Sequence, residues 1–384
     1  MFNFFKNLTW YPPAETRIPW SAILSAFTRP SGNFTKSLCN YLGVDHCILG
    51  ESARALLFKL LETLKRQDGG QRDEVLIPGY TCYSVAAAVA KADLKIAVYD
   101  LDPKTLHADL DSIKKAISEK TLAVVTQHLF GMLTPIDELK GIAHKSGVYL
   151  IEDAAQAFGK VDGGKLPGTM GDFGIFSFGR GKPLPIGGGG ALVSHDHLDV
   201  LDGIKLNSQG NGYNQTVVSA VIQIMSKPAF YWIPEMLPLG LGETVFESDF
   251  HVKGIPNAID TMLVKAMPIL DELNTHRKRL SGVYSNYLAD NLLIKNKTTE
   301  QTSIIRFPVM LPHTILMKDL NRLGVRRMYP KAISDEHSIK PYLKTNQEPT
   351  PGAEEIAEQF FTLPTHMGIN DNLAGQISLA VQKY

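Results

Sequence analysis

Lys182 stands in the run GRGKPLP, between glycines and prolines, where an irregular turn can hold a single amine toward an electrophile. An amine that its surroundings keep partly neutral condenses with an aldehyde to form an imine. Asp153 closes the apolar run VYLIED. A carboxylate there, set beside a pyridine nitrogen, would keep that nitrogen protonated and let the ring take up electrons. At about 3 Å and an effective dielectric near 20 the attraction is on the order of 5 kcal/mol, less the desolvation that opposes it. Gln156 follows within reach of a ring oxygen, and Ser177 sits in a second apolar run, FGIFSF, as a hydroxyl for a phosphate. Gly187 to Gly190 close the segment. An acid, a phosphate-facing hydroxyl and a lone lysine in a glycine-rich turn are the parts that a pyridoxal phosphate (PLP) site needs.

Phosphate also needs backbone N–H groups, which a helix N-terminus supplies with a favourable dipole. Ser52-Ala53-Arg54-Ala55 opens the first helix of the region and is placed for this, and Ser52 doubles as an N-cap. Competing motifs fail on particular residues. A P-loop would need glycine at 176 and Ser or Thr at 183, where Phe176 and Pro183 stand. A nucleophile elbow around Ser177 lacks its first glycine, replaced by Ile175. His195 and His197 share an HxH spacing in an apparent turn, with no HExxH and no paired CxxC, so no metal is expected. No Ser/His/Asp set can be read from spacing.

The elements that must position these groups alternate. Ala53–Lys65, Tyr83–Lys91, Leu110–Ile117 and Ile136–Lys145 read as helices. Between and after them EVLIP, LKIAVYD, LAVVT, VYLI, FGIFSF and ALVS read as strands. Apolar strands alternating with helices imply a mostly parallel sheet covered on both faces. Ligands then sit beyond the carboxyl ends of the strands, where Asp153, His128 and Gly79–Thr81 fall. After about Gly242 the pattern changes to helices at Asp260–Leu280 and Val283–Leu293, a strand at Ile304–Leu311 and a helix at Ile315–Leu323. This predicts an N-terminal arm over 1–29, a large α/β domain over 30–245 and a smaller α+β domain over 246–384. The basic cluster His276–Arg279 reads as a solvated helix face.

Bulk properties exclude other classes. Lys+Arg and Asp+Glu balance at 39 each, so there is no electrostatic footprint for nucleic acid. Three cysteines, Cys39, Cys47 and Cys82, suit a reducing cytosol. The start, MFNFFKNLTWYPP, has no signal-peptide pattern. The longest apolar run, Val217–Ser226, is about half of the ~20 residues a spanning helix needs. The apolar stretch AFYWIPEMLPLGLG after it reads as a buried subunit contact, with contact to a membrane surface as the alternative. A cytoplasmic protein is expected.

At DEVLIPGYT, YDLDPKTL, QHLFG, LIEDAAQAFG, GDFGIFSFGRGKPL and GGGGALVS the sequence resembles the DegT/DnrJ/StrS family of fold type I PLP enzymes. LPTH (Leu363–His366) is similar to that family's closing motif. The resemblance implies a seven-stranded-type, mostly parallel sheet sandwiched by helices. It implies that Lys182 carries PLP and shuttles a proton, that Asp153 partners the pyridinium and that Gln156 meets the ring oxygen. It further implies Ser177 as a phosphate ligand, with Arg54 and Ala55 as the phosphate pair, or Ser52 and Ala53 if the register shifts by two. Asn214 resembles the asparagine that reaches the neighbouring subunit's cofactor, which implies a homodimer with shared sites. Three features depart from the pattern: Cys82 stands where an aromatic usually stacks on PLP, with Tyr83 next; Thr216 replaces an arginine; and Pro228–Glu243 reads as an insertion.

The expected function is amino transfer, with glutamate as donor and the keto group of a nucleotide-linked sugar as acceptor. The alternatives are a silent PLP-fold sensor and a PLP enzyme of another type, such as an aldolase or an eliminating enzyme. Related sugar dehydratases, by the same resemblance, replace the lysine with histidine, and Lys182 opposes that reading. Arg326, Tyr329 and His366 are candidates for substrate contact.

Overall fold

A computed structural model describes residues 9–28, 32–159, 164, 166–207, 210–236, 244–296, 302–312 and 317–384. Residues 1–8 and 29 of the expected arm, 237–243 of the expected insertion and 315–316 of an expected helix lie outside these. The strands of the large sheet are β1 (His46–Gly50), β2 (Glu74–Pro78), β3 (Lys95–Tyr99), β4 (Thr121–Gln127), β5 (Tyr149–Asp153), β6 (Phe173–Ser177) and β7 (Gly190–Ser194). Strands β8 (Arg306–Met310), β9 (Arg326–Arg327) and β10 (Phe360–Pro364) form a small sheet. Helices α1 (Trp20–Thr28), α2 (Phe34–Leu42), α3 (Ala53–Gln67), α4 (Tyr83–Lys91), α5 (Leu110–Ala116), α6 (Ile136–Lys145) and α7 (Leu198–Asp202) belong to the first half. Helices α8 (Tyr213–Met225), α9 (Trp232–Met236), α10 (Asn257–Ala266), α11 (Leu270–Tyr287), α12 (Met317–Arg322), α13 (Pro351–Gln359) and α14 (Asp371–Val381) follow.

The large sheet has seven strands in the order β1-β7-β6-β5-β4-β2-β3. Pairings from β3 through β6 are parallel, and β7 runs antiparallel to both β6 and β1. Alternate side chains of a strand face opposite layers. Val75 and Ile77 therefore join α3 and α4 in one apolar layer, while Leu76 joins α5 and α6 in another. Both faces are covered, which is why these strands read as continuous apolar runs. β1, at the sheet edge, buries only Cys47 and Gly50 of its HCILG, unlike the continuously buried inner strands.

The second half deviates from expectation at two helices. Of the expected helix Val283–Leu293 only the part up to Tyr287 is α-helical, as the unbroken end of α11; Leu288 is extended and Asp290–Leu292 is a 3₁₀ turn. Asp260–Leu280 is broken by a 3₁₀ turn, Met267–Ile269, that contains Pro268, which has no N–H to continue an α-helical ladder. α10, before the break, packs with α1, α2 and Phe176 and Phe178 against the large sheet. From Leu280 onward, α11 packs with the small sheet, ordered β8-β10-β9 and antiparallel throughout, and with α13 and α14. No helix among the described residues is long and apolar enough to cross a membrane.

Candidate active site

Asp153 and Ser177 are the last residues of the adjacent parallel strands β5 and β6, and Gln127 ends β4 beside them. The parallel register brings all three to one edge of the sheet. A cavity of about 270 Å³ opens there, lined by Arg54, Cys82, Asp153, Gln156, Ser177 and Lys182 among others. Asp153 and Lys182 thus face one cavity from different elements. Burial pushes the Asp153 carboxyl above its ordinary value, while the Lys182 ammonium and the Ala155 N–H, 3.0 Å from Oδ1, pull it back.

Gln156 is oriented from its far side. Its Oε1 accepts the Phe130 N–H at 2.8 Å, so its amide nitrogen is the atom left toward the cavity and Tyr329 Oη, 3.4 Å away. The opening turn of α3 brings Ser52, Ala53 and Arg54 to the cavity wall. Gly190 permits this approach, since a Cβ there would lie 2.4 Å from Ala53 N. The helix spans 15 residues, so its N-terminal N–H groups and dipole face the same space as Ser177.

Two expected residues lie elsewhere. Ala55 is fully buried in the core, and its N–H is taken by Ser52 Oγ at 3.2 Å. The residues at the wall are those of the register two positions earlier, together with Arg54. The Arg54 guanidinium itself stacks on Phe250, 4.3 Å from the ring centroid, and pairs with Glu247 at 3.7 Å. Asn214 is exposed in the first turn of α8, away from this chain's own cavity. Tyr83 does not replace the missing aromatic: it is buried and its hydroxyl bonds to the Lys331 backbone. Cys82 lines the cavity, and Tyr329 supplies an aromatic wall. Of the other substrate candidates, Arg326 lines a separate cavity, and His366 is buried with Nε2 on Pro12 O at 2.9 Å.

Several further residues support the site, beginning with His128 at the carboxyl end of β4, where the sequence reading places it. His128 Nδ1 accepts the Thr134 N–H at 3.2 Å, which leaves the proton on Nε2 to donate to Glu152 Oε2 at 2.7 Å. Glu152 also accepts the N–H groups of Gly168, Met170 and Gly171. Burial alone would raise its carboxyl; the His128 bond and these backbone donors outweigh that and hold it below the ordinary value. Arg277, expected on a solvated face, is 1% exposed. Its Nη1 donates to Pro183 O and to Asn274 Oδ1, both at 2.9 Å, so it braces the turn that carries Lys182. Burial lowers its pKa to about 10, opposed by Glu15. His197 of the HxH pair packs on Tyr149 and Phe173 near Asp172.

These residues fit PLP. A buried acid and a lysine share the cavity, an amide donor points into it, and a helix N-terminus and a hydroxyl flank it. A mostly parallel seven-stranded sheet with a lysine and an acid at its carboxyl edge defines a PLP enzyme of fold type I.

The family model of the DegT/DnrJ/EryC1/StrS aminotransferases matches residues 28–382, and the chain belongs to this family of PLP-dependent enzymes. The chain is 30% identical to an L-glutamine:2-deoxy-scyllo-inosose aminotransferase of Streptoalloteichus tenebrarius, over 74% of this chain and 62% of that one. It thus spans about three fifths of that relative's length. It is 25% identical to a GDP-perosamine synthase of Caulobacter vibrioides, over 88% of this chain and 85% of the other. An E. coli GDP-4-keto-6-deoxy-D-mannose-3-dehydratase with bound hydrated PLP shares the fold, with a TM-score of 0.75 at 17% identity over 97% and 99% of the two chains.

Proposed function

We propose that this chain is an aminotransferase that moves an amino group, from glutamate or a similar amino acid, onto the keto group of a nucleotide-linked sugar. The observation that carries the reading is the convergence of Lys182 and Asp153 on one cavity at the carboxyl edge of the sheet. Family membership supports amination of a sugar or a sugar-like ring. The near-complete alignment with a GDP-perosamine synthase supports a nucleotide-linked acceptor. A relative named for L-glutamine makes glutamine the second donor to test. A dehydratase shares the fold, so the fold does not choose the reaction; Lys182, where such enzymes carry histidine by family resemblance, favours amino transfer.

PLP, when bound, supplies an aldehyde to capture the amine and a ring that accepts electrons. The protein's part follows from its own atoms. Lys182 Nζ holds the cofactor and moves the proton at the reacting carbon. Asp153 keeps the ring nitrogen's proton, its burial strengthening the attraction. The Gln156 amide donates toward the ring oxygen. Ser177 Oγ and the N–H groups of Ser52 to Arg54 receive the phosphate. Val125 and Ile175 give the cavity an apolar floor that excludes water.

The working form in this reading is a homodimer. α8 buries only Thr216 and Ser219 and exposes Val217, Val218, Val221 and Ile224. Leu24 and Phe27 of α1 are exposed too, with Phe27 stacked on Tyr213 at 5.6 Å. An apolar surface of this kind supports an association site; Asn214 lies on it, and in this reading serves a second copy's cofactor. Free cysteines Cys39, Cys47 and Cys82 accord with a cytoplasmic location.

The test is spectroscopic. Purified protein mixed with PLP should develop the absorbance of a lysine-bound cofactor, and glutamate or glutamine should discharge it to the pyridoxamine form. A keto sugar carrying a nucleotide should then restore it. No band, or the same band in Lys182→Ala, overturns the proposal.

A further inference from the structure

Behind the aromatic wall of the active cavity lies a second cavity of about 480 Å³, lined by Tyr231, Glu235, Arg306, Arg326, Met328 and Pro330, among others. The two are neighbours in the chain: Tyr329 lines the first, while Met328 and Pro330 line the second. Arg306 begins β8 and Arg326 begins β9. The register Arg306↔Pro364 and Arg326↔Thr362 puts both arginines on one face of the small sheet, because Thr362 and Pro364 share a face of β10.

The charges there do not balance. Arg326 Nη2 is 2.9 Å from Glu235 Oε1, an ion pair with both side chains mostly buried. Among the described residues Arg306 has no such partner: its Nε and Nη2 are buried and no described residue bonds to them. Its surroundings are the second cation, Arg326, and the hydroxyls of Tyr231, Tyr329 and Tyr80. Burial and Arg326 lower its pKa to about 10, so it stays charged at neutral pH. A buried guanidinium with two free donors on one fork is costly unless an anion completes it, and that fork matches the two oxygens of a carboxylate or phosphate. Glu235 already shows the cavity holding a carboxylate against an arginine.

We infer that this cavity is an anion-binding subsite in which Arg306, supported by Arg326, receives a carboxylate or phosphate of a substrate whose reacting end lies past Tyr329. The inference rests on the proposed function for its link to a substrate, and it stands apart from it as a binding site. Both a dicarboxylic amino donor and a phosphate-bearing acceptor present such an oxyanion. The subsite sets where either one is anchored; the chemistry stays at Lys182.

The experiment uses PLP-saturated protein, so that the cofactor's phosphate site is filled. Binding of inorganic pyrophosphate and of 2-oxoglutarate is followed by calorimetry and by the shift in melting temperature. At least one should bind saturably to the wild type. Arg306→Gln should weaken it by about tenfold or more, the size expected for charged hydrogen bonds lost from a buried site. Pyrophosphate alone binding through Arg306 assigns the subsite to a phosphate-bearing acceptor; 2-oxoglutarate alone assigns it to the donor. Arg306→Lys keeps the charge without the fork and should fall between, which keeps the test open if the glutamine variant fails to fold. Neither anion binding, or equal binding in wild type and both variants, overturns the inference. The cofactor band is read in the same samples: its loss would strike the proposed function, whereas unchanged binding in the variants with an intact band strikes only the subsite.

Discussion

The cavities on the two sides of Tyr329 treat buried charge in opposite ways. At the carboxyl edge of the large sheet every buried acid has its answer. Asp153 faces Lys182 and an N–H, and Glu152 takes His128 and three backbone donors. Beside the small sheet, Arg306 is left with two nitrogens that no described residue pairs. The first arrangement is complete in the protein and waits for a cofactor whose charges it already matches. The second is incomplete among the described residues, and in the proposed subsite a ligand's anion completes it. Stability and function are therefore aligned at Glu152 and opposed at Arg306.

Substitutions can break this contrast. Lys182→Ala should lower kcat by ~10³-fold or more, because it removes both the covalent tether and the proton carrier; steady-state rates check this. Asp153→Asn should lower kcat by about 10²–10³-fold with the fold intact, since the attraction it removes is a few kcal/mol. Circular dichroism beside the kinetics separates the two effects. Glu152→Gln should destabilise the protein by roughly 2–4 kcal/mol, by breaking a buried, fully bonded carboxylate. Its pH dependence carries a sign. The folded carboxyl lies below its ordinary value of 4.5, so its contribution is whole above that pH and is lost as pH falls through the folded value. Denaturant melts at decreasing pH should show a shallower acid limb in the glutamine variant. Arg306→Gln should do the reverse at neutral pH and raise ligand-free stability by about 1–2 kcal/mol, as removal of an unpaired buried charge. Smallest in energy, Val221→Asp on the exposed face of α8 should leave the monomer's fold unchanged and shift the proposed homodimer to monomer in sedimentation.

What could be read in advance divides along the same line. Asp153, Gln156, Ser177 and Lys182 lie within one short stretch, and the strand-turn grammar around them is local. The sheet was legible for the same reason, since its buried strands are continuous apolar runs. Glu152 was not, although it adjoins Asp153: the period of two in β5 turns it to the opposite side, toward Gly168–Gly171, a contact that spacing alone does not announce. Arg277 looked like one more charge on a polar helix face, and only the distant Pro183 and Glu15 make it a buried brace. Arg306 comes from the small sheet, whose approach to the active cavity depends on tertiary packing, whereas Tyr329, just after β9, was already a candidate for substrate contact. Pro268 marks the break in the expected helix Asp260–Leu280, but the apolar spacing runs on past it and masks the signal.

The central claim is that Lys182 carries the cofactor beside Asp153. Borohydride reduction of the PLP-loaded protein, followed by peptide mapping, tests it most directly. A pyridoxyl group on the peptide containing Lys182, absent from Lys182→Ala, is the predicted result. A label on another lysine, or none on a protein that still binds PLP, would contradict it.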